Sequence, residues 1–137
     1  MSRHKSKPHV VAVCGSRSFP LTPSTGAEIV EILQSYPEGT TFLTRGSEGV
    51  DRFLLAAGPI IGYDVVALAA QGGPSNFLRD VEMVRMADEV IVFLDPATLH
   101  DERTGTSHVL DKALDQHKKS MAYSAADNHL VFVGSAE

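Results

Sequence analysis

Short β-branched runs separated by stretches of helical period recur along the whole chain. His9-Val10-Val11-Ala12-Val13 is continuous and bounded by Gly15, the pattern of a strand buried on both faces that ends at Cys14. Pro23 occupies a first helical position after Thr22. Ile29, Ile32, Leu33 and Tyr36 then recur at i, i+3, i+4 and i+7, which predicts an amphipathic helix stopped by Pro37-Glu38-Gly39. Thr40 to Thr44 reads as a second strand. A second helix starts near Gly49, turns Val50, Phe53, Leu54 and Ala57 inward, and weakens at Gly58-Pro59, where proline removes a helical donor. Tyr63 to Leu68 is a third strand, Gln71-Gly72-Gly73-Pro74 a loop, and Ser75 a cap for a third helix with Phe77, Val81 and Val84 on one face. Glu89 to Leu94 is the clearest central strand, and Asp95 to Arg103 an irregular polar loop. Val109, Leu110, Ala113, Leu114 and His117 mark a fourth helix, Lys119 to Tyr123 a fifth strand, and His129 to Val133 a sixth or an edge strand.

Strands alternating with helices of this length imply right-handed βαβ units and a mainly parallel sheet of five to six strands covered on both faces. This is a three-layer, doubly wound α/β domain, which binds ligands outside the carboxyl ends of its strands. A chain of 137 residues with 43% hydrophobic content supports one core, here residues 9–137 after a flexible basic arm, residues 1–8, carrying Arg3, Lys5 and Lys7. No apolar stretch approaches the roughly 20 residues of a bilayer span, and no signal-peptide core follows the arm. The single cysteine, Cys14, excludes an internal disulfide, so a cytoplasmic location is expected. A net charge of −5 argues against a protein that neutralises duplex DNA over a broad surface.

Four polar knots fall at the predicted strand ends. In Cys14-Gly15-Ser16-Arg17, glycine removes the Cβ that would hold a phosphate off the backbone, Ser16 offers a hydroxyl and Arg17 a cationic fork; a plain strand-to-loop turn has the same composition. Gly46-Ser47-Glu48-Gly49-Val50-Asp51 precedes a helix and aims amides at an anion. Asp51 is then either a ribose hydroxyl acceptor or a carboxylate complementing the helix dipole, and Arg45 either neutralises phosphate or is solvated. The third knot, Asn76 to Arg79, supplies a cation from a helix face shared with Met83 and Met86, unless Arg79 simply pairs with Glu82; Arg85 points elsewhere into solvent. Thr104-Gly105-Thr106 opens the fourth helix as a second phosphate-facing turn or as a cap. His100 and His108, with Asp95 and Asp101, have metal-ligand chemistry but no HxxxH or HExxH spacing, so no metal is assigned. Neither a G-x-G-x-x-G fingerprint nor a Walker A loop occurs.

In this order the knots resemble the SLOG superfamily of Rossmann-like nucleotide-binding proteins, which includes the Lonely Guy phosphoribohydrolases and the Rossmann domain of the DNA-processing protein A. The likeness is greatest to small stand-alone members that begin strand-Gly-Ser-Arg-aromatic, here Val13 to Phe19. It continues through Gly46 to Asp51, Arg79 to Met83, Ala87-Asp88 and Gly105-Thr106, and covers roughly Val10 to Tyr123. Arg45 stands where the family often has the first glycine of a pair. Val109 stands where the hydrolases carry a glutamate three residues after the motif threonine. Cleavage of an N-glycosidic bond needs a carboxylate to stabilise or attack the oxocarbenium-like centre. Valine does neither, and Asp111 lies about 200° further around the helix.

The resemblance therefore implies a binder of a nucleotide or nucleotide-derived small molecule, with a sensing or sequestering role and no required cofactor. Its contacts are expected from Gly15, Ser16, Arg17, Gly46, Ser47, Gly49, Asp51, Arg79, Gly105 and Thr106. The rival is a nucleoside-monophosphate hydrolase in which Glu48, Asp51 or Asp95 replaces the missing glutamate. A third class is an accessory DNA-transaction protein. Residues 129 to 133 suit an edge that pairs between subunits of a homo-oligomer.

Overall fold

Every residue of β1 (Val10–Gly15) after the first is buried, as its unbroken apolar run requires. In this computed structural model, which describes residues 9–68, 75–98 and 105–136, that strand lies inside a six-stranded sheet of order β3-β2-β1-β4-β5-β6. The other elements are α1 (Pro23–Gln34), β2 (Thr41–Thr44), α2 (Val50–Ile60), β3 (Asp64–Ala67), α3 (Ser75–Met86), β4 (Glu89–Phe93), α4 (Gly105–Asp115), β5 (Lys119–Ala126) and β6 (His129–Ala136). A short 3-10 turn spans Pro96–Thr98. All pairings are parallel except that of β5 with β6. The fold is a Rossmann-like, doubly wound α/β domain.

Alternation along the strands divides the core into two layers. Val11 and Val13 of β1, with Phe42, Ile91 and Phe93, pack against Ile29 and Leu33 of α1 and Val50 and Leu54 of α2. Ala12 and Cys14, with Leu43, Val90 and Val92, pack against Met83 and Val84 of α3 and Val109 and Ala113 of α4. Thr22 caps α1 as expected, its hydroxyl accepting from the Thr25 amide while the Thr25 hydroxyl accepts from the Thr22 amide.

Some boundaries and faces differ from the sequence expectation. α2 continues through Pro59 to Ile60, since a proline near a helix end forfeits a single bond. Its buried residues are Val50, Asp51, Leu54 and Gly58, so the inward face is rotated towards Asp51 and leaves Ala57 only half-buried. α1 ends before Tyr36, with Ser35 as its cap, and Tyr36 packs edge-on to Phe42 from the following turn. In α4, Leu114 is exposed and His117 lies beyond the helix end with a left-handed φ of 57°. β5 and β6 are longer than predicted because Asp127 and Asn128, with φ of 51° and 64°, form a tight two-residue hairpin turn. Pairing passes from Tyr123 with Phe132 to Ala122 with Gly134, leaving Val133 as a bulge on the edge strand. The Gln71 to Pro74 loop and residues 99–104 lie outside the described residues.

The amino end of the sheet is closed by Glu89. Its carboxylate lies 2.6 Å from His9 Nε2, accepts from the Tyr36 hydroxyl at 2.9 Å and faces Lys119 Nζ at 3.9 Å. Among the described residues no helix is long and apolar enough to cross a membrane.

Helix α2 lies so close to β3 that a Cβ on Gly58 would meet Val65 Cγ2 at 2.1 Å. Gly58→Ala should therefore destabilise the protein by about 1–3 kcal/mol in urea denaturation, although alanine is the better helix former. Adding Val65→Ala should recover part of that loss, and no recovery would show that the close approach is not its cause.

Candidate functional site

Strand order reverses between β1 and β4, and Gly15 pairs with Phe93 at the carboxyl end of that junction. Chains leave these two strands in opposite directions, which opens a crevice where doubly wound folds take their ligands. The first two knots, the start of α4 and the loop after β4 meet at this rim.

A buried ion pair assembles them. Asp51 is fully buried; its Oδ1 accepts from the Gly15 amide at 3.0 Å, and its Oδ2 from the Arg45 amide at 3.1 Å and Arg45 Nε at 3.3 Å. Arg45 Nη2 donates to the Gly15 carbonyl at 2.9 Å and to Thr106 Oγ1 at 3.2 Å. One carboxylate and one guanidinium thus join the ends of β1 and β2 to the first turns of α2 and α4. Burial by itself lowers the Arg45 pKa, but the neighbouring Cys14, Asp51 and Asp80 outweigh it and hold the guanidinium charged. Arg45 is accordingly neither solvated nor open to a phosphate, and Asp51 carries a structural load with three internal donors.

Gly15 and Gly49 are needed for closeness. A Cβ on Gly15 would lie 2.7 Å from two Val50 side-chain atoms, so its missing side chain is what seats α2 on β1. Gly49, with φ 87°, brings its Cα against the Ser16 and Arg17 carbonyls, where a Cβ would sit 3.2 Å from Arg17 O. The second knot therefore rests on the first. No side chain caps α2, whose Arg52 amide instead donates to the Ser47 carbonyl at 3.2 Å.

Around this frame, Ser16 donates its amide to the Phe93 carbonyl at 2.9 Å, and its hydroxyl accepts from the Asp95 amide at 3.2 Å. Asp95 also accepts from the Ser18 hydroxyl and from the Ala97 amide, which ties the loop after β4 to the loop after β1. Phe19 is buried edge-on against Phe93. Arg17 and Glu48 are exposed, Gly46 and Ser47 half-buried, and Thr106 buried. Gly105 is the first residue of α4, while Thr104, His100 and Asp101 lie outside the described residues. Among the described residues no group of three or more His, Cys, Asp or Glu side chains is arranged to hold a metal. Val109 is fully buried in the apolar layer with Met83, Val84 and Ala113.

Arg79 does not make the pair with Glu82 that its spacing offered as an alternative to a ligand contact. Glu82 pairs with Arg85, three residues on, whereas Arg79 Nε and Nη2 each lie 3.4 Å from Asp80 Oδ1. Met83 of its helix is buried and Met86 exposed. Asp80 is buried and its Oδ2 lies 3.2 Å from His108 Nδ1. Asp80 and His108 were not singled out as a pair by the sequence reading. Their signal is present, since Asp80 shares its helical face with buried Met83 and Val84, and a carboxylate on an apolar face requires a partner.

Comparisons of the chain with protein-family models, with curated proteins and with solved structures return no match.

Removing one member of a buried ion pair strands the other, so Asp51→Ala should cost about 3–5 kcal/mol in denaturant unfolding. The double variant Arg45→Met/Asp51→Leu should lose less than the sum of its single changes; strict additivity would contradict the coupling. Burial also pushes the Cys14 thiol up to about 12. Labelling of Cys14 by a thiol reagent at neutral pH should then track global unfolding with denaturant, and rapid labelling of the native protein would contradict this burial.

Proposed function

We propose that this chain is a SLOG-type protein that binds a nucleotide or nucleotide-derived small molecule at the crevice between β1 and β4, as a sensor or sequestering protein. The observation that carries this reading is the pairing of a polar, cation-bearing rim with an apolar residue at the hydrolytic position. Arg17 and Arg79 supply positive charge, the uncapped start of α2 and the first turn of α4 supply amides, and Ser16 supplies a hydroxyl. Val109 faces the core, and both oxygens of Asp51 and of Asp95 accept hydrogen bonds from the protein itself. Recognition of a phosphate is well provided for; a carboxylate to support an oxocarbenium centre is not.

A cytoplasmic, reducing setting suits the single buried thiol. Self-association suits β6, whose Val131, Phe132 and Val133 are exposed on an edge strand.

A charge-assisted hydrogen bond contributes about 1.5–3 kcal/mol, so Arg17→Ala and Arg79→Ala should each weaken adenosine monophosphate binding roughly tenfold or more in calorimetry. The melting temperature of Arg17→Ala should stay close to that of the parent protein, because Arg17 is exposed, whereas Arg79→Ala removes a partner from the buried Asp80 carboxylate and should lower it. Unchanged affinity in the double variant, or binding that is absent from the parent across a nucleotide panel, would refute the assignment. Release of free base on incubation would replace it with the hydrolase reading.

A further inference from the structure

The sheet face under α1 and α2 is covered unevenly. Val65, Phe42, Val13 and Ile91 of β3, β2, β1 and β4 pack in the layer of these two helices. At the edge, β5 and β6 leave an open groove of about 460 Å³ beside α1. Met121 and Tyr123 of β5 and Leu130 of β6 form its floor, and all three are half-buried. Phe132 meets Tyr123 edge-on and is 53% exposed, so the apolar surface runs on to the edge strand. The α1 wall is a single stripe, in which Glu28, Glu31, Ile32, Ser35 and Tyr36 recur at i, i+3, i+4, i+7 and i+8. The groove therefore follows the helix and its cap for just over two turns, about 12 Å.

Charge decides what such a groove takes. Glu28 is anchored at its rim, accepting from the Leu130 amide and lying 2.7 Å from His129 Nδ1; these two contacts hold its carboxyl below the ordinary range. Glu31, one turn on, is exposed and has no ion-pair partner among the described residues. Two tyrosine rings and an unpaired carboxylate around an aliphatic floor suit a cationic side chain on an apolar stem. A second copy is the poorer occupant, because it would bring a chain of net charge −5 to these same carboxylates. The covering layer of a doubly wound sheet is helical, and the groove has the straight two-turn wall that a helix packs beside. We infer that the groove between α1 and the β5–β6 hairpin docks a basic amphipathic helix of a partner protein, its apolar face on Met121, Tyr123 and Leu130 and its lysine or arginine side chains against Glu28 and Glu31. The site shares no residue with the crevice between β1 and β4 and does not depend on the nucleotide-binding reading.

A fluorescein-labelled helical peptide of leucine and lysine, with leucines at i, i+3, i+4 and i+7, is the probe, and fluorescence anisotropy with the full chain is the readout. The peptide should bind, and its leucine–glutamate counterpart should not. Glu31→Lys should weaken binding roughly tenfold without moving the melting temperature, since Glu31 is exposed and unpaired. Met121→Glu, in the floor, should abolish it. Asp111→Lys makes the same change of net charge on exposed α4, across the sheet, and should leave affinity unchanged. Equal weakening by Asp111→Lys, or equal binding of the two peptides, reduces the contact to general charge attraction and overturns the inference. So does a parent protein that binds neither peptide, or one that sediments as a dimer dispersed by Met121→Glu, since a second copy then fills the groove. If Met121→Glu fails to fold, the contrast between Glu31→Lys and Asp111→Lys decides the matter alone.

Discussion

The Arg45–Asp51 pair is the constraint around which the polar end of the molecule is organised. It bonds both backbone groups of Gly15, the amide of Arg45 and the hydroxyl of Thr106, so four elements share one point of attachment. A pair this deeply buried contributes little net stability compared with a well-packed apolar substitute, but removing either partner alone is expensive. Its effect is to fix geometry. The starts of α2 and α4 are held at the strand-order reversal.

The two ends of the sheet consequently differ in kind. At the amino end, Glu89 collects His9, Tyr36 and Lys119 and satisfies the chain with its own groups. At the carboxyl end, internal polar groups are used as scaffolding beside the exposed Arg17. Buried polar groups must find partners, and at this end they find one another. Thr44, Ser120 and Ser124 are exceptions, with buried hydroxyls that have no partner among the described residues, and nothing in their surroundings accounts for them.

The fold was legible because its signal is periodic. Buried central strands such as His9–Val13 and Glu89–Leu94 and helices with clear apolar faces fix a doubly wound sheet without reference to any particular contact. Gly15 and Asp51 were legible as members of the rim, but their tasks were not. A glycine required by a phosphate and one required by Val50 Cγ2 look the same in sequence, and the carboxylate of Asp51 reads as a dipole partner until Arg45 is seen to fold back six residues to meet it. The Asp80–His108 contact joins positions 28 residues apart on different helices, a distance over which local pattern carries no information. The β5–β6 hairpin was seen only in part, because Asp127-Asn128 is not the Asn-Gly or Asp-Gly pair that usually announces such a turn.

Val109 has a consequence for how this molecule can change. Its side chain is surrounded by Met83, Val84 and Ala113 beneath the sheet, so a glutamate substituted there would enter a dry apolar layer rather than the crevice. Placing a carboxylate at that sequence position would thus bring the cost of a buried charge and no reactive group. Bringing a side chain at that position into the crevice would require turning α4 about its axis, and Thr106, bonded to Arg45 in the first turn of the same helix, opposes that rotation. Val109 and Thr106 thus fix the rotation of α4 from within the core.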